Sequence, residues 1–140
     1  AVLVMNPFIR KGNIRLDIVE LDALVMSSTG KLEQVFINLM SNSVDALALL
    51  PDGVIEIRCT RIKDSVVVRY ADNGPGITES ANDKIFEPFY TTKPSGKGLG
   101  LGLAISKFIV DAIGGKIECH NLSTGGLEFI IVLRHADKPT

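Results

Sequence analysis

Polar and apolar residues alternate through Asn13-Ile14-Arg15-Leu16-Asp17-Ile18-Val19, the period of a half-buried strand. A second short apolar run, Ala23-Leu24-Val25-Met26, is a candidate to pair beside it. Ser27-Ser28-Thr29-Gly30 then offers capping chemistry, and the apolar spacing becomes helical. Leu32, Val35, Phe36, Leu39, Met40 and Leu47 fall on one arc, which predicts a helix from about Lys31 to Leu49 before Pro51-Asp52-Gly53. Two strands follow. Ile55, Ile57 and Cys59 share a face of the first, Val66, Val68 and Tyr70 share a face of the second, and Lys63-Asp64-Ser65 makes the hairpin turn. Residues 73–98 are rich in Gly, Pro, Thr, Ser and Asn and lose the periodicity. So long a connection is either functional or partly mobile. Leu101, Ala104, Ile105, Phe108, Ile109 and Ala112 restore helical spacing until Gly114-Gly115 stops it. Two last strands flank Asn121–Gly126, with Leu127, Phe129, Ile131 and Leu133 alternating in the second. The pattern predicts an α+β fold: a two-layer α/β sandwich with an open mixed sheet of about five strands, one face covered by about three helices.

Composition narrows the class. A chain of 140 residues that is 46% hydrophobic and 22% charged matches one globular domain with a real core. Its net charge of −1 supplies no basic field for nucleic acid and no polybasic tract for a membrane surface. The longest apolar run, near residues 99–113, is broken by Lys107 and Asp111, so no membrane span and no signal peptide is expected. Cys59 and Cys119 sit in strand-like runs and read as small buried hydrophobes in a reducing compartment, not as a disulfide. The chain opens at Ala1 in mid-pattern, as an excised single domain would.

Candidate chemistry concentrates around glycine. Gly96-Lys97-Gly98-Leu99-Gly100-Leu101-Gly102-Leu103-Ala104 sets four glycines at alternate positions directly before the second helix. Such a segment offers unpaired N–H groups and the positive end of a helix dipole to a phosphate. The spacing is neither GxxxxGK[ST] nor a strand-following G-x-G-x-x-G, so it is not a P-loop and not a dinucleotide fingerprint. On the first helix Gln34, Asn38, Asn42 and Asp45 form a polar stripe bordering the apolar arc. Amide oxygens suit Mg²⁺ and amide hydrogens suit phosphate, although an ordinary polar helix surface gives the same pattern. Asp72 ends an apolar strand against Asn73-Gly74-Pro75-Gly76. A carboxylate there could accept from an exocyclic amine beside a flat ring; standing alone, Asp-Asn-Gly reads as a turn. Between Lys84 and Lys93 the chain combines Phe86, Pro88, Phe89 and Tyr90, either anchoring a lid or forming a small satellite core. His120 and His135 have no acidic or metal-ligand company in the sequence and read as incidental.

Order and co-occurrence of these segments resemble the ATP-binding catalytic domain of bacterial sensor histidine kinases, in the superfamily shared with gyrase, the Hsp90 chaperones and MutL. The N box resembles Gln34 through Ala46, the first glycine box Asp72-Asn73-Gly74-Pro75-Gly76, the F box Phe86-Glu87-Pro88-Phe89 and the second glycine box Gly96 to Gly102. The resemblance covers nearly the whole chain. It implies the fold of that superfamily with a flexible ATP lid over about Phe89 to Lys97. Asp72 would bind the adenine amino group, helped by the backbone of Gly74, Gly76 and Ile77. Asn38 and Asn42 would hold Mg²⁺ and the phosphates as the catalytic pair, with Asp45 nearby. Gly96, Gly98, Leu99, Gly100, Leu101 and Gly102 would wrap the phosphates. Phe89, Thr91, Thr92, Lys93 and Lys97 would line the lid, with Lys93 or Lys97 on the γ-phosphate. The Thr-Thr-Lys-Pro tract looks most like the nitrogen-regulation and dicarboxylate-transport sensors. Departures from the family pattern are Asp45, where many members are basic; Glu128, where a small residue or Thr is usual; and Leu133-Arg134 in place of Leu-Pro.

The ATP-hydrolysing relatives carry a water-activating glutamate where this chain has Asn38, and an amide cannot act as a general base. That favours transfer of the γ-phosphoryl group to an external histidine over hydrolysis, and it also counts against the anti-sigma-factor serine kinases. Neither histidine here lies in an H-[ED]-x-x-N/P context. The resemblance therefore implies a helical dimerisation and phosphoacceptor domain of the same homodimeric protein as partner, followed by a cognate response regulator. It implies a cytoplasmic setting with no direct membrane contact by this domain, whether or not the parent is anchored in the inner membrane. A non-catalytic nucleotide-sensing or docking module of the same fold, and an ATPase of the superfamily, are the alternatives. Modules that lose kinase activity typically lose the asparagines or the glycine box, and both are intact.

Overall fold

The computed structural model describes residues 14–19, 29–82, 84–90 and 101–134. In chain order its elements are β1 (Ile14–Val19), α1 (Thr29–Leu47), β2 (Gly53–Ile62), β3 (Ser65–Asp72), α2 (Glu79–Asn82), α3 (Gly102–Ala112), β4 (Lys116–Asn121) and β5 (Leu127–Arg134). The strands form one sheet in the order β1-β2-β3-β5-β4. β1 runs parallel to β2, and the other pairs are antiparallel. The expected open mixed sheet is therefore present. The run 23–26 and residues 91–100, which include most of the lid expected over about Phe89 to Lys97, lie outside the described residues.

One face of the sheet carries the core. Ile55 and Ile57 of β2, Val66, Val68 and Tyr70 of β3, and Phe129, Ile131 and Leu133 of β5 are buried there. The expected arc of α1 packs onto them through Val35, Leu39, Met40 and Leu47, and α3 adds Val110. Full burial of one such aliphatic side chain contributes roughly 1.5–3 kcal/mol. Phe129 receives two edge-on aromatic neighbours, Tyr70 at 6.4 Å and Phe86 at 6.3 Å between ring centroids. These contacts carry the F-box segment into the core.

Local chemistry sets the element ends. α3 closes with Gly114 at φ +77, which a residue with a Cβ would resist. Gly114 N–H donates to Asp111 O and Gly115 N–H to Val110 O, the paired bonds of a Schellman ending. Ser65, expected in the hairpin turn, already pairs with Ile62, so Lys63 and Asp64 make the turn. α1 ends at Leu47, not near Leu49, because the apolar arc ends there; Leu49 projects into solvent. Helix α2 was not expected. It is a single turn, too short for a 3.6-residue period to register. Thr78 starts it by accepting from Ala81 N–H at its hydroxyl (3.2 Å).

Two further expectations change. Cys59 and Cys119 are free thiols but only half-buried; burial pushes the Cys119 thiol up to about 11, so it stays protonated. His120 does have acidic company. Its Nε2 lies 3.0 Å from Glu128 Oε1, which also meets Arg69 Nη1 at 3.0 Å. The register pairs Glu128 with Ala71 and His120, so all three side chains sit on the sheet face opposite the core. Neighbours along β4 reveal nothing of this in sequence, because the contacts form across the ladder.

Candidate functional site

The end of β3 meets the middle of α1 at Asp72. Its neighbours on the buried face are Ile55 of β2 and Leu127 of β5, and only 7% of the residue is exposed. Gly74 N–H donates to Asp72 Oδ1 (3.0 Å) and the Ser43 hydroxyl donates to Oδ2 (2.8 Å). Tyr70 OH donates in turn to Ser43 Oγ (2.9 Å). Burial holds the Asp72 carboxyl above its ordinary range, and the Gly74, Ser43 and Leu127 hydrogen bonds oppose that rise. Gly74 lies close against the end of α1: a Cβ there would stand 3.4 Å from Ala46 Cβ and 3.5 Å from Leu47 Cδ2.

Gly76 has φ +74, and a Cβ on it would collide with Asn121 Oδ1. That close approach has a purpose. Asn121 reaches from the end of β4 to clamp the next residue, accepting from Ile77 N–H (2.8 Å) and donating to Ile77 O (2.6 Å). Asn73 performs a similar task on the other side, accepting from Val54 N–H (2.7 Å) and donating to Asp52 O (2.8 Å). The glycine turn after Asp72 is thus pinned at both flanks.

The polar rim of α1 faces the first turn of α3. Asn38 Nδ2 donates to Gly102 O (3.0 Å) and to Ser106 Oγ (3.2 Å), and Asn38 Oδ1 accepts from Gln34 Nε2 (2.9 Å). Both amide hydrogens therefore strap α1 to α3, while the oxygen keeps a lone pair. Among the described residues no side chain caps α3 at Leu101, and the first-turn N–H groups and positive dipole end of a helix suit an anion. Asn42 is half-buried one turn beyond Asn38, and Asp45 is exposed. Among the described residues no cluster of three or more His, Cys, Asp or Glu could hold a metal. A cation here would rest on amide oxygens and on oxygens of its own ligand, which suits Mg²⁺.

The structure brings together Asn38, Gly102 and Leu101 at one joint and Asp72, Gly74, Gly76 and Ile77 at another. Phe89 is not drawn in; it is 72% exposed with φ +67. Thr91, Thr92, Lys93, Gly96, Lys97, Gly98, Leu99 and Gly100 lie outside the described residues. Sequence reasoning passed over Ser43, Tyr70, Ser106 and Asn121. Ser43 carried a usable signal: it stands four residues after Leu39 on the apolar arc, where a polar side chain needs a buried partner.

Residues 28–137 match the family described as histidine kinase-, DNA gyrase B-, and HSP90-like ATPase. The chain is 40% identical over 127 residues to the C4-dicarboxylate transport sensor protein DctB of Rhizobium meliloti, covering 91% of this chain and 20% of that protein. The nucleotide-free catalytic domain of histidine kinase ThkA superposes with a TM-score of 0.78 at 33% identity, covering 95% of this chain and 91% of that one. Full-length ShkA in complex with AMPPNP superposes with a TM-score of 0.82 at 26% identity, over 99% of this chain and 30% of that one. The dicarboxylate sensor agrees with the subgroup expected from the Thr-Thr-Lys-Pro tract. With its four boxes, its sheet order and these matches, the chain belongs to the histidine kinase-, DNA gyrase B- and HSP90-like ATPase family, as a catalytic domain of the sensor histidine kinase kind.

Proposed function

We propose that this domain binds Mg-ATP between α1 and the start of α3 and donates the γ-phosphoryl group to a histidine on a separate helical domain. The observation that carries the reading is Asp72: a buried carboxylate, oriented by Gly74 and Ser43, at the start of a glycine turn. The AMPPNP bound by ShkA supports an adenine nucleotide as the ligand. Asp72 accepts from the exocyclic amine of adenine, and the backbone at Gly74, Gly76 and Ile77 borders the ring. Asn42, with Asn38, holds Mg²⁺, which neutralises charge on the phosphates when bound. The uncapped first turn of α3 and the glycines before it receive the phosphate oxygens. Thr91, Thr92, Lys93 and Lys97 act from the lid.

Transfer needs a nucleophile from outside. His120 is held by Glu128 on the opposite face of the sheet. Asn38 cannot take a proton from water, and its amide hydrogens are committed to α3, which favours transfer over hydrolysis. A neutral imidazole nitrogen of the partner forms the N–P bond as the bond from phosphorus to the β–γ bridging oxygen breaks. ADP leaves with that electron pair, and the ring N–H releases its proton. The domain contributes position and charge neutralisation. Ile105 and Phe108, one turn apart on α3, expose apolar surface, with Phe108 at 74%; this is the surface on which the phosphoacceptor helices dock. A response regulator then takes the phosphoryl group from that histidine. No helix among the described residues is long and apolar enough to cross a membrane, and the domain works on the cytoplasmic side, where ATP is.

Calorimetric titration with AMPPNP, with and without Mg²⁺ and beside a guanine counterpart, tests the binding step. Magnesium-assisted binding selective for adenine is expected; equal affinity for guanine would remove Asp72 from the base site.

A further inference from the structure

The hydrogen bonds on Asp72 form a chain with a direction. A serine hydroxyl is ambiguous, since it can donate one hydrogen or accept at either lone pair. Next to a nucleobase, that ambiguity would blur what the pocket recognises. Here the ambiguity is removed by Tyr70. The phenol is fully enclosed and has two acceptors within reach, Ser43 Oγ at 2.9 Å and Met40 Sδ at 3.8 Å. A thioether is the weaker acceptor, so the single phenolic hydrogen goes to Ser43. With that lone pair taken, the Ser43 hydrogen points to Asp72 Oδ2 at 2.8 Å.

The chain therefore runs Tyr70 to Ser43 to Asp72 and ends on a carboxylate. A carboxylate has about four lone-pair positions. Gly74 N–H, Ser43 Oγ–H and Leu127 N–H meet it, which leaves room for one more donor. Across the ladder the facing side chain is Leu127, which has no hydrogen-bonding group, so the side-chain donor comes from α1. The titratable group that bears on Asp72 from its own strand is Tyr70, whose phenol burial pushes well above its ordinary value and keeps a donor.

We propose that Ser43 and Tyr70 are positioning residues that lock Asp72 as a hydrogen-bond acceptor for a single exocyclic N–H of the base, so that α1 sets base selectivity as well as holding the phosphate end. The proposal rests on Asp72 being the adenine acceptor. It assigns to the buried face of α1 a role separate from that of Asn38 and Asn42 on its rim.

The test compares equilibrium binding of ATP and purine riboside 5′-triphosphate, whose base has hydrogen in place of the amine, to this chain and its variants. The unsubstituted chain is expected to prefer ATP by about ten-fold, the size of one charge-assisted hydrogen bond. Ser43→Ala is expected to lose most of that preference through weaker ATP binding, with purine riboside triphosphate bound as before. Tyr70→Phe is expected to shift the ratio the same way by about two- to three-fold. A thermal melt accompanies each variant, and Tyr70→Phe, which removes one oxygen and keeps the ring, decides the matter if Ser43→Ala does not fold. A Ser43→Ala ratio equal to that of the unsubstituted chain overturns the relay. So does equal weakening of both nucleotides, which is the signature of a merely structural role, and so does an unchanged ratio in Tyr70→Phe. An unsubstituted chain that binds both nucleotides equally overturns the Asp72 assignment itself, and the relay with it.

Discussion

Asp72 is a carboxylate held where little water reaches it, and that placement weighs against stability. Its folded pKa is raised by burial, so the folded state binds the proton more readily than the unfolded chain. Stability from this group is present below the unfolded pKa and is lost as pH rises through the raised folded value. Asp72→Asn removes the buried charge and keeps the shape. At neutral pH its melting temperature should equal or exceed that of the unsubstituted domain, and the gap should close as pH falls through the folded pKa. Adenine nucleotide affinity should drop by ten-fold or more in the same variant. A variant that melts lower but binds equally well would reverse both assignments. Asn42→Ala should bind nucleotide with affinity no longer strengthened by Mg²⁺, read by titration in the presence and absence of the metal.

At the level of elements, α1 is the hub, and its two sides have different tasks. The apolar arc seats it on the sheet, and Asn38 straps it to α3 with two donated hydrogen bonds. Asn38→Ala should destabilise the domain by about 1–2 kcal/mol, seen as a lower denaturant midpoint. On the far side of the site, Asn121 fastens Ile77 by both its N–H and its C=O. In Asn121→Ala the Ile77 amide should exchange with solvent markedly faster, while the β2–β3 ladder keeps its protection. Equal protection at Ile77 would mean that the glycine turn holds itself without the clamp.

For the whole molecule, the sheet separates chemistry from charge. The groups proposed to face the nucleotide lie on the helix side, and the Arg69–Glu128–His120 cluster lies on the other. Glu128, whose place in the sequence departs from the family pattern, is thus engaged on the face away from the proposed site. His120 likewise lies on the face away from the site proposed under α1. Incubated with radiolabelled ATP, this chain should not label itself, and label should appear on histidine only when a helical phosphoacceptor domain is added. Phe108→Ser should leave nucleotide binding unchanged and reduce that transfer several-fold, because it removes about one large apolar side chain from the proposed docking surface. Unchanged transfer would move the docking surface elsewhere.

Much of this was legible in residue order. The period-2 and period-3.6 patterns determined which faces of α1, β2, β3 and β5 turn inward, since burial of apolar surface obeys local geometry. The family boxes determined the kind of ligand, because glycines, amides and a strand-end carboxylate carry their chemistry in their identity. Asn38 and Asp72 could be proposed as site residues for the same reason. Tertiary structure alone decided the partners. Ser43 and Asp72 are 29 positions apart, Asn121 and Ile77 44 apart, and Arg69 and Glu128 59 apart; a hydrogen bond across such a separation depends on strand register and helix rotation, which no local pattern encodes. The single-turn α2 escaped for the opposite reason, being shorter than the period that would reveal it. Sequence determined which residues could act, and the fold decided which of them meet, because hydrogen bonds reach about 3 Å and only packing brings distant residues that close.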